Sequence, residues 1–201
     1  MIGSLLKYAE MKGLWAVPGF KSKEVRWAIE LASNGHYTGV VELGKANEKN
    51  NKGITFSKAP DFSQPEKKAG GVLKSHFLVD TAGVVALWDG KGEEPSQDET
   101  IQAKHQYFIT LLREASKVMP ELRLAADFVA NDDNCAKLRK DLAEKKAKAN
   151  DKVTFRNGGQ FPVESDVWHQ WWQDFRAALP VKKSKASGMV CFATGELVEP
   201  A

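Results

Sequence analysis

At 201 residues, 42% hydrophobic and 27% charged, the chain can bury a real core and shows none of the compositional extremes of disordered or fibrous proteins. Its net charge of +3 is too small to point to nucleic acid by itself, and no stretch approaches the roughly 18 apolar residues of a membrane span. Cys135 and Cys191 lie far apart without a CxxC pair, which argues against a disulfide framework or zinc motif and fits reduced thiols in a cytoplasmic protein.

The opening "MIGSLLKYAEMKG" has no basic segment leading into a long apolar one, so it does not read as a signal peptide. Ile2, Leu5, Leu6 and Ala9 instead predict a short amphipathic helix that ends at "VPGF", residues 17–20. Val25, Trp27, Ile29 and Leu31 then alternate with Glu24, Arg26 and Glu30, the pattern of a half-buried strand. "SNGH" at 33–36 predicts a hairpin turn and "YTGVVEL" the returning strand. Residues 44–71, lysine-rich and interrupted by Pro60 and Pro65, predict a long irregular loop with at most a short strand at "ITFS". "SHFLVD" and "GVVALWD" predict a second hairpin across Thr81 and Ala82.

Ser96 and Glu99 have capping-box spacing ahead of a long helix carrying Ile101, His105, Phe108, Leu111, Leu112 and Ala115. Pro120 separates it from a helix over 121–130, and a third helix follows "NDDN" to about Lys148. "KVTFR" predicts a strand, "NGG" at 157–159 a turn, and Ser165 the cap of a helix with Trp168, Trp171, Trp172 and Phe175 on one face. That spacing is a core signature first, although Trp171 and Trp172 point about 100° apart, which predicts unequal exposure. "PVKKSKASG" predicts a linker and "MVCFATGE" a final strand.

The expected class is α+β, with antiparallel β-hairpins forming a sheet, a helical insertion and a Trp-rich helix. The expected organisation is a sheet-rich part over 1–95, including the basic loop 44–71, and a helical insertion over 96–150. A strand plus the Trp-rich helix follows over 151–180, then a linker over 181–187 and the start of a further segment over 188–201.

No catalytic pattern is found. There is no GxSxG elbow, Walker loop or GxGxxG after a strand, and His36, His76, His105 and His169 show no ligand spacing. Asp132 and Asp133 are adjacent and fit helix capping better than acid–base work. The sequence therefore predicts no enzyme, no metal and no cofactor.

Basic charge, by contrast, is clustered. Seven lysines between Lys45 and Lys74 face three acids, eight basic residues between Lys137 and Arg156 face three more, and Arg176, Lys182, Lys183 and Lys185 face none. Within the first cluster, "KKAGGVLKSHFLVDT" sets a glycine pair among lysines. It reads either as a turn or as a loop whose amides and cations approach an anion.

The order of these segments resembles a known family. "MIGSLLKYAE", "GFKSKEVRWAIELASNGH", "KKAGGVLKSHFLVDTAGVVALW", "VTFRNGGQFPVESDVWHQWW" and the Cys191, Thr194, Gly195, Glu196 motif are similar, in that order, to the N-terminal part of the large subunit of the subtype I-C CRISPR surveillance complex (Cascade). Where that family commonly has Arg-Thr-Ser-Gly, this chain has Lys68, Ala69, Gly70 and Gly71, and Thr81 and Val84 replace its usual Asn and aromatic. The resemblance implies an N-terminal fragment of a longer, non-catalytic subunit that binds duplex target DNA and recognises the PAM. It also implies crRNA, other Cascade subunits and a helicase–nuclease recruited by the full complex as partners, with no membrane. The residues expected to face nucleic acid are Lys67, Lys68, Gly70, Gly71, Lys74, Ser75 and His76, followed by Lys45, Lys49 and Lys52 in the charged loop. Lys182, Lys183 and Lys185 rank third. The alternative is a protein–protein docking module with an exposed Trp-rich helix and no DNA contact.

Overall fold

The computed structural model describes residues 17–45 and 51–181, together with the backbone of 189–190 and 197–198. The expected first helix, Lys49, the expected linker from Lys182 on (with Lys182, Lys183 and Lys185) and the whole Cys191–Glu196 motif lie outside the described residues.

The alternating run expected as one strand is two. β1 (Phe20–Val25) and β2 (Trp27–Leu31) are divided at Arg26 and join different sheets. β2 turns through Ala32–His36 into β3 (Tyr37–Glu42), the expected hairpin. β1 pairs antiparallel with β4 (Ile54–Pro60), so the stretch expected as an irregular loop carries a seven-residue strand. A helix, α1 (Gln64–Lys68), follows it. The prolines that suggested a loop are compatible with both elements. Pro60 ends a strand of a two-stranded sheet and Pro65 sits in the first helical turn, where a missing N–H costs nothing.

The second expected hairpin is absent. β5 is only Asp80–Thr81, and Ala82–Val85 form a helical turn, α2, with Thr81 Oγ1 accepting from Val84 N at 3.4 Å. The Asp80 carboxylate accepts from His76 N at 2.6 Å and Thr81 N at 2.7 Å, and Leu78 takes φ 58°, so the apolar run folds into a turn instead of a ladder. Short buried apolar runs look alike as strand or helix when only periodicity is read.

α3 (Glu99–Ala115), α4 (Leu122–Val129) and α5 (Asp132–Glu144) make up the helical part. The cap of α3 is Asp98, whose carboxylate accepts from Thr100 N and Ile101 N; Ser96 lies two residues earlier, accepting from Asp98 N. β6 (Lys152–Asn157) enters the larger sheet beside β2 in parallel, giving the order β3-β2-β6-β5. α3 packs on this sheet, with the Phe108 and Phe155 rings stacked at 6.2 Å.

Ser165 does not cap the last helix. It accepts from Val167 N, and α6 (His169–Ala177) starts after Trp168. Trp168 and Trp172 are fully buried against Phe77, with Trp172 also against Phe62, whereas Trp171 is half-buried. The Trp-rich helix is thus core, and an exposed Trp docking face is excluded. Met189–Val190 pair antiparallel with Leu197–Val198. The class is α+β, as expected. Among the described residues no helix is long and apolar enough to cross a membrane.

Candidate functional site

A cleft of about 570 Å³ gathers five lysines, each from a different part of the chain: Lys23 of β1, Lys67 of α1, Lys74 of the following segment, Lys104 of α3 and Lys152 of β6. Ser75, His76 and Thr81 line it too, and the lining carboxylate is Asp80.

Local structure explains each position. The register of β1 on β4 shifts between Lys21 and Lys23, and Lys23 comes to share the buried face with Val25. There its Nζ donates to Pro60 O at 2.6 Å and lies 3.3 Å from Asp61 Oδ1. Burial pushes the Lys23 ammonium down to a pKa of about 8, with Asp61 opposing the shift. Asp61 Oδ1 also lies 3.1 Å from His76 Nδ1, without hydrogen-bond alignment. Burial alone would raise the Asp61 pKa; His76, Lys23 and Lys67 more than reverse this and hold the carboxyl well below the usual range.

Lys74 turns its ammonium back to Ala69 O and over the Tyr107 ring, 5.8 Å from its centroid, and desolvation lowers its pKa. Lys67, Lys104 and Lys152 make no ion pair with a carboxylate among the described residues. Both carboxylates of the cleft region are thus committed to the chain itself, Asp80 to backbone amides and Asp61 to Lys23 and His76. The net field is positive, in a concave site that excludes part of the solvent, which suits an anion.

The structure brings together Lys67, Lys74, Ser75 and His76 of the residues expected from sequence. It sets Lys68, Gly70 and Gly71 apart, on a neighbouring, mostly apolar cavity with Pro65, Ala69, Pro180 and Val181. Gly70 and Gly71 have φ of 72° and 67°, and a Cβ on Gly71 would meet nothing within 4 Å, so the turn itself accounts for the pair. Lys52 lies elsewhere, 3.7 Å from Glu24, and Lys45 occupies an exposed bend after β3. Lys23, Lys104 and Lys152 were not singled out from sequence. For Lys23 a signal existed: the Val25–Trp27–Ile29 alternation, carried back two residues, falls on it. Lys152 lay in the basic run Lys137–Arg156, which pointed to no particular residue, and Lys104 had no signal, because only the tertiary fold joins α3 and β6 at this cleft. No group of three or more His, Cys, Asp or Glu suited to a metal occurs among the described residues.

The chain matches the family described as CRISPR-associated protein (Cas_Csd1) over residues 5–201, and it belongs to that family. No curated protein matches it.

Proposed function

We propose that this member of the Cas_Csd1 family is a non-catalytic DNA-recognition piece of a type I CRISPR Cascade effector. It holds duplex DNA by its phosphates in the lysine-lined cleft and recognises the PAM, so that crRNA-guided pairing can begin. The carrying observation is the convergence of Lys23, Lys67, Lys74, Lys104 and Lys152 on one concavity. When guide pairing supplies most of the sequence specificity, a protein needs only a brief groove contact and phosphate binding. In this reading crRNA, other Cascade subunits and a recruited helicase–nuclease are the partners; family membership supports only that other CRISPR-associated components are among them.

The test is fluorescence anisotropy on labelled duplexes with varied short flanking sequences over a salt series. Lys67→Ala/Lys104→Ala/Lys152→Ala is compared with Lys137→Ala/Lys140→Ala/Lys145→Ala, which removes equal charge from residues that do not line the cleft. Salt-sensitive binding weakened only by the cleft variant supports the reading, with the salt slope falling by about one unit per lost phosphate contact. Equal losses in both variants, or no binding at low salt, would sink it.

A second reading, a protein-docking module, is favoured by one observation. Val72 and Leu73, directly after the glycine turn, are exposed large apolar side chains, Leu73 on the lining of the lysine cleft itself. Docking there would leave affinity for a partner subunit nearly indifferent to salt.

A further inference from the structure

Ser75 is 2% exposed and lines the lysine cleft, yet its Oγ has no hydrogen-bond partner. Buried hydroxyls are almost always paired, so an orphan calls for a missing acceptor or donor. Its surroundings decide which. The cleft is crowded with ammonium donors, while Asp80 already accepts from two backbone amides and Asp61 is taken up by its contacts with Lys23 and His76. What is scarce is acceptor oxygen carrying negative charge. A carboxylate ligand would bring two such oxygens; a tetrahedral oxyanion brings enough to meet a hydroxyl and several ammoniums together. At about 570 Å³ the cleft also admits more than the anion alone.

We propose that Ser75, Lys67, Lys104 and Lys152 form a discrete seat for one phosphate group, with Ser75 donating its hydroxyl hydrogen to a phosphate oxygen and the lysines supplying the charge. The seat deepens the DNA reading, since a backbone phosphodiester is one source of such a group. Free phosphate or pyrophosphate is the other source, and the experiment separates them.

The full chain is melted with inorganic pyrophosphate or with chloride at matched ionic strength, and pyrophosphate is then used to compete labelled duplex DNA. Wild type is compared with Ser75→Ala, Lys104→Ala and, as a control outside the cleft, Lys140→Ala. Pyrophosphate is expected to raise the wild-type Tm. Ser75→Ala and Lys104→Ala should each weaken that effect about tenfold in apparent affinity, the scale of one hydrogen bond to a charged group; Lys140→Ala should not. Without anion, Ser75→Ala should melt no lower than wild type, because it removes an unpartnered hydroxyl, so a loss of binding is not a loss of fold.

Equal stabilisation of wild type and Ser75→Ala, or none of either, overturns the seat. Salt-sensitive DNA binding that ignores both pyrophosphate and Ser75→Ala overturns the seat and leaves the DNA reading standing. Pyrophosphate binding lost in Ser75→Ala, with no DNA binding at any salt, supports the seat and overturns the DNA reading.

Discussion

Arg176 Nη2 lies 2.7 Å from Glu66 Oε1, with the two side chains only 12% and 11% exposed, and this pair fastens the Trp-rich helix α6 to α1, the helix that carries Lys67. The second Glu66 oxygen accepts from Ser63 N at 2.6 Å, so one carboxylate both caps α1 and anchors it. The guanidinium fills the space over Gly19, where a Cβ would sit 2.0 Å from Arg176 Nη1. Beside it, Trp172 Nε1 donates to Gly19 O at 2.7 Å. The aromatic core thereby sets where α1 sits, and with it one wall of the cleft.

Arg176→Ala is expected to lower unfolding free energy by about 3 kcal/mol, because it strands Glu66 as a buried charge. Glu66→Gln combined with Arg176→Met should cost less than the two single changes added together. Urea denaturation of the four proteins measures the coupling. A loss below about 0.5 kcal/mol for Arg176→Ala, the size of a surface change, would contradict the lock.

Much of the scaffold is legible in sequence where one periodicity dominates. Phe108, Leu111, Leu112 and Ala115 are buried as helical spacing predicts, and the hairpin at "SNGH" forms. Legibility fails where local chemistry overrides pattern. Asp80 folds "SHFLVD" back on itself by taking two amides, a long-lever effect that no hydropathy pattern carries. The lysine cluster from Lys45 to Lys74 also disperses. Lys67 and Lys74 reach the cleft, Lys68 faces another cavity, and Lys58 lines a groove with Glu164, Asp166 and His169. Neighbours in sequence diverge because α1 and the turn after it rotate successive side chains to different faces, while Lys23, Lys104 and Lys152 converge from elements far apart in the chain.

Lys23 gives stability a pH dependence of definite sign. Its folded pKa, about 8, lies below the 10.5 of an ordinary lysine, so between those values the unfolded chain binds more protons and stability rises with pH. The gain is up to ~3 kcal/mol and is complete above the unfolded pKa. Burial also raises Cys135 to about 11 and Tyr107 to about 12, and these acids act oppositely, favouring unfolding as pH climbs past their ordinary values. Denaturant unfolding of wild type and Lys23→Met from pH 7.5 to 10.5 isolates the lysine. The wild-type-minus-variant difference should rise through that window, and a flat difference would show that Lys23 is not desolvated.

Trp172 and Trp171, one residue apart, should behave unequally. Trp172 is fully buried, stacks on Phe175 at 5.9 Å and Phe77 at 5.6 Å, and donates to Gly19 O. Trp172→Ala is expected to cost about 4 kcal/mol, the range for a buried tryptophan. Trp171→Ala, at a half-buried position, should cost about 1 kcal/mol. Thermal unfolding followed by calorimetry distinguishes them. Equal, small effects would contradict the unequal burial of the two rings.

Gly71→Ala addresses why a glycine pair stands among lysines. With φ at 67° and open space where the Cβ would go, the substitution meets backbone strain alone, about 1–2 kcal/mol by denaturant unfolding. Gly71 lines the cavity with Pro65 and Pro180, not the lysine cleft, so DNA affinity at fixed salt should change less than twofold, roughly the scale of a position without contact. The two readings of the pair part at this measurement. A turn needs the glycine for its own dihedral and is indifferent to ligand. A backbone that approaches phosphate closely has no room for a methyl, and Gly71→Ala would then weaken DNA binding far more than it weakens the fold. The left-handed dihedral and the separation of Gly71 from Lys104 and Lys152 favour the turn, with the lysine cleft left to do the binding.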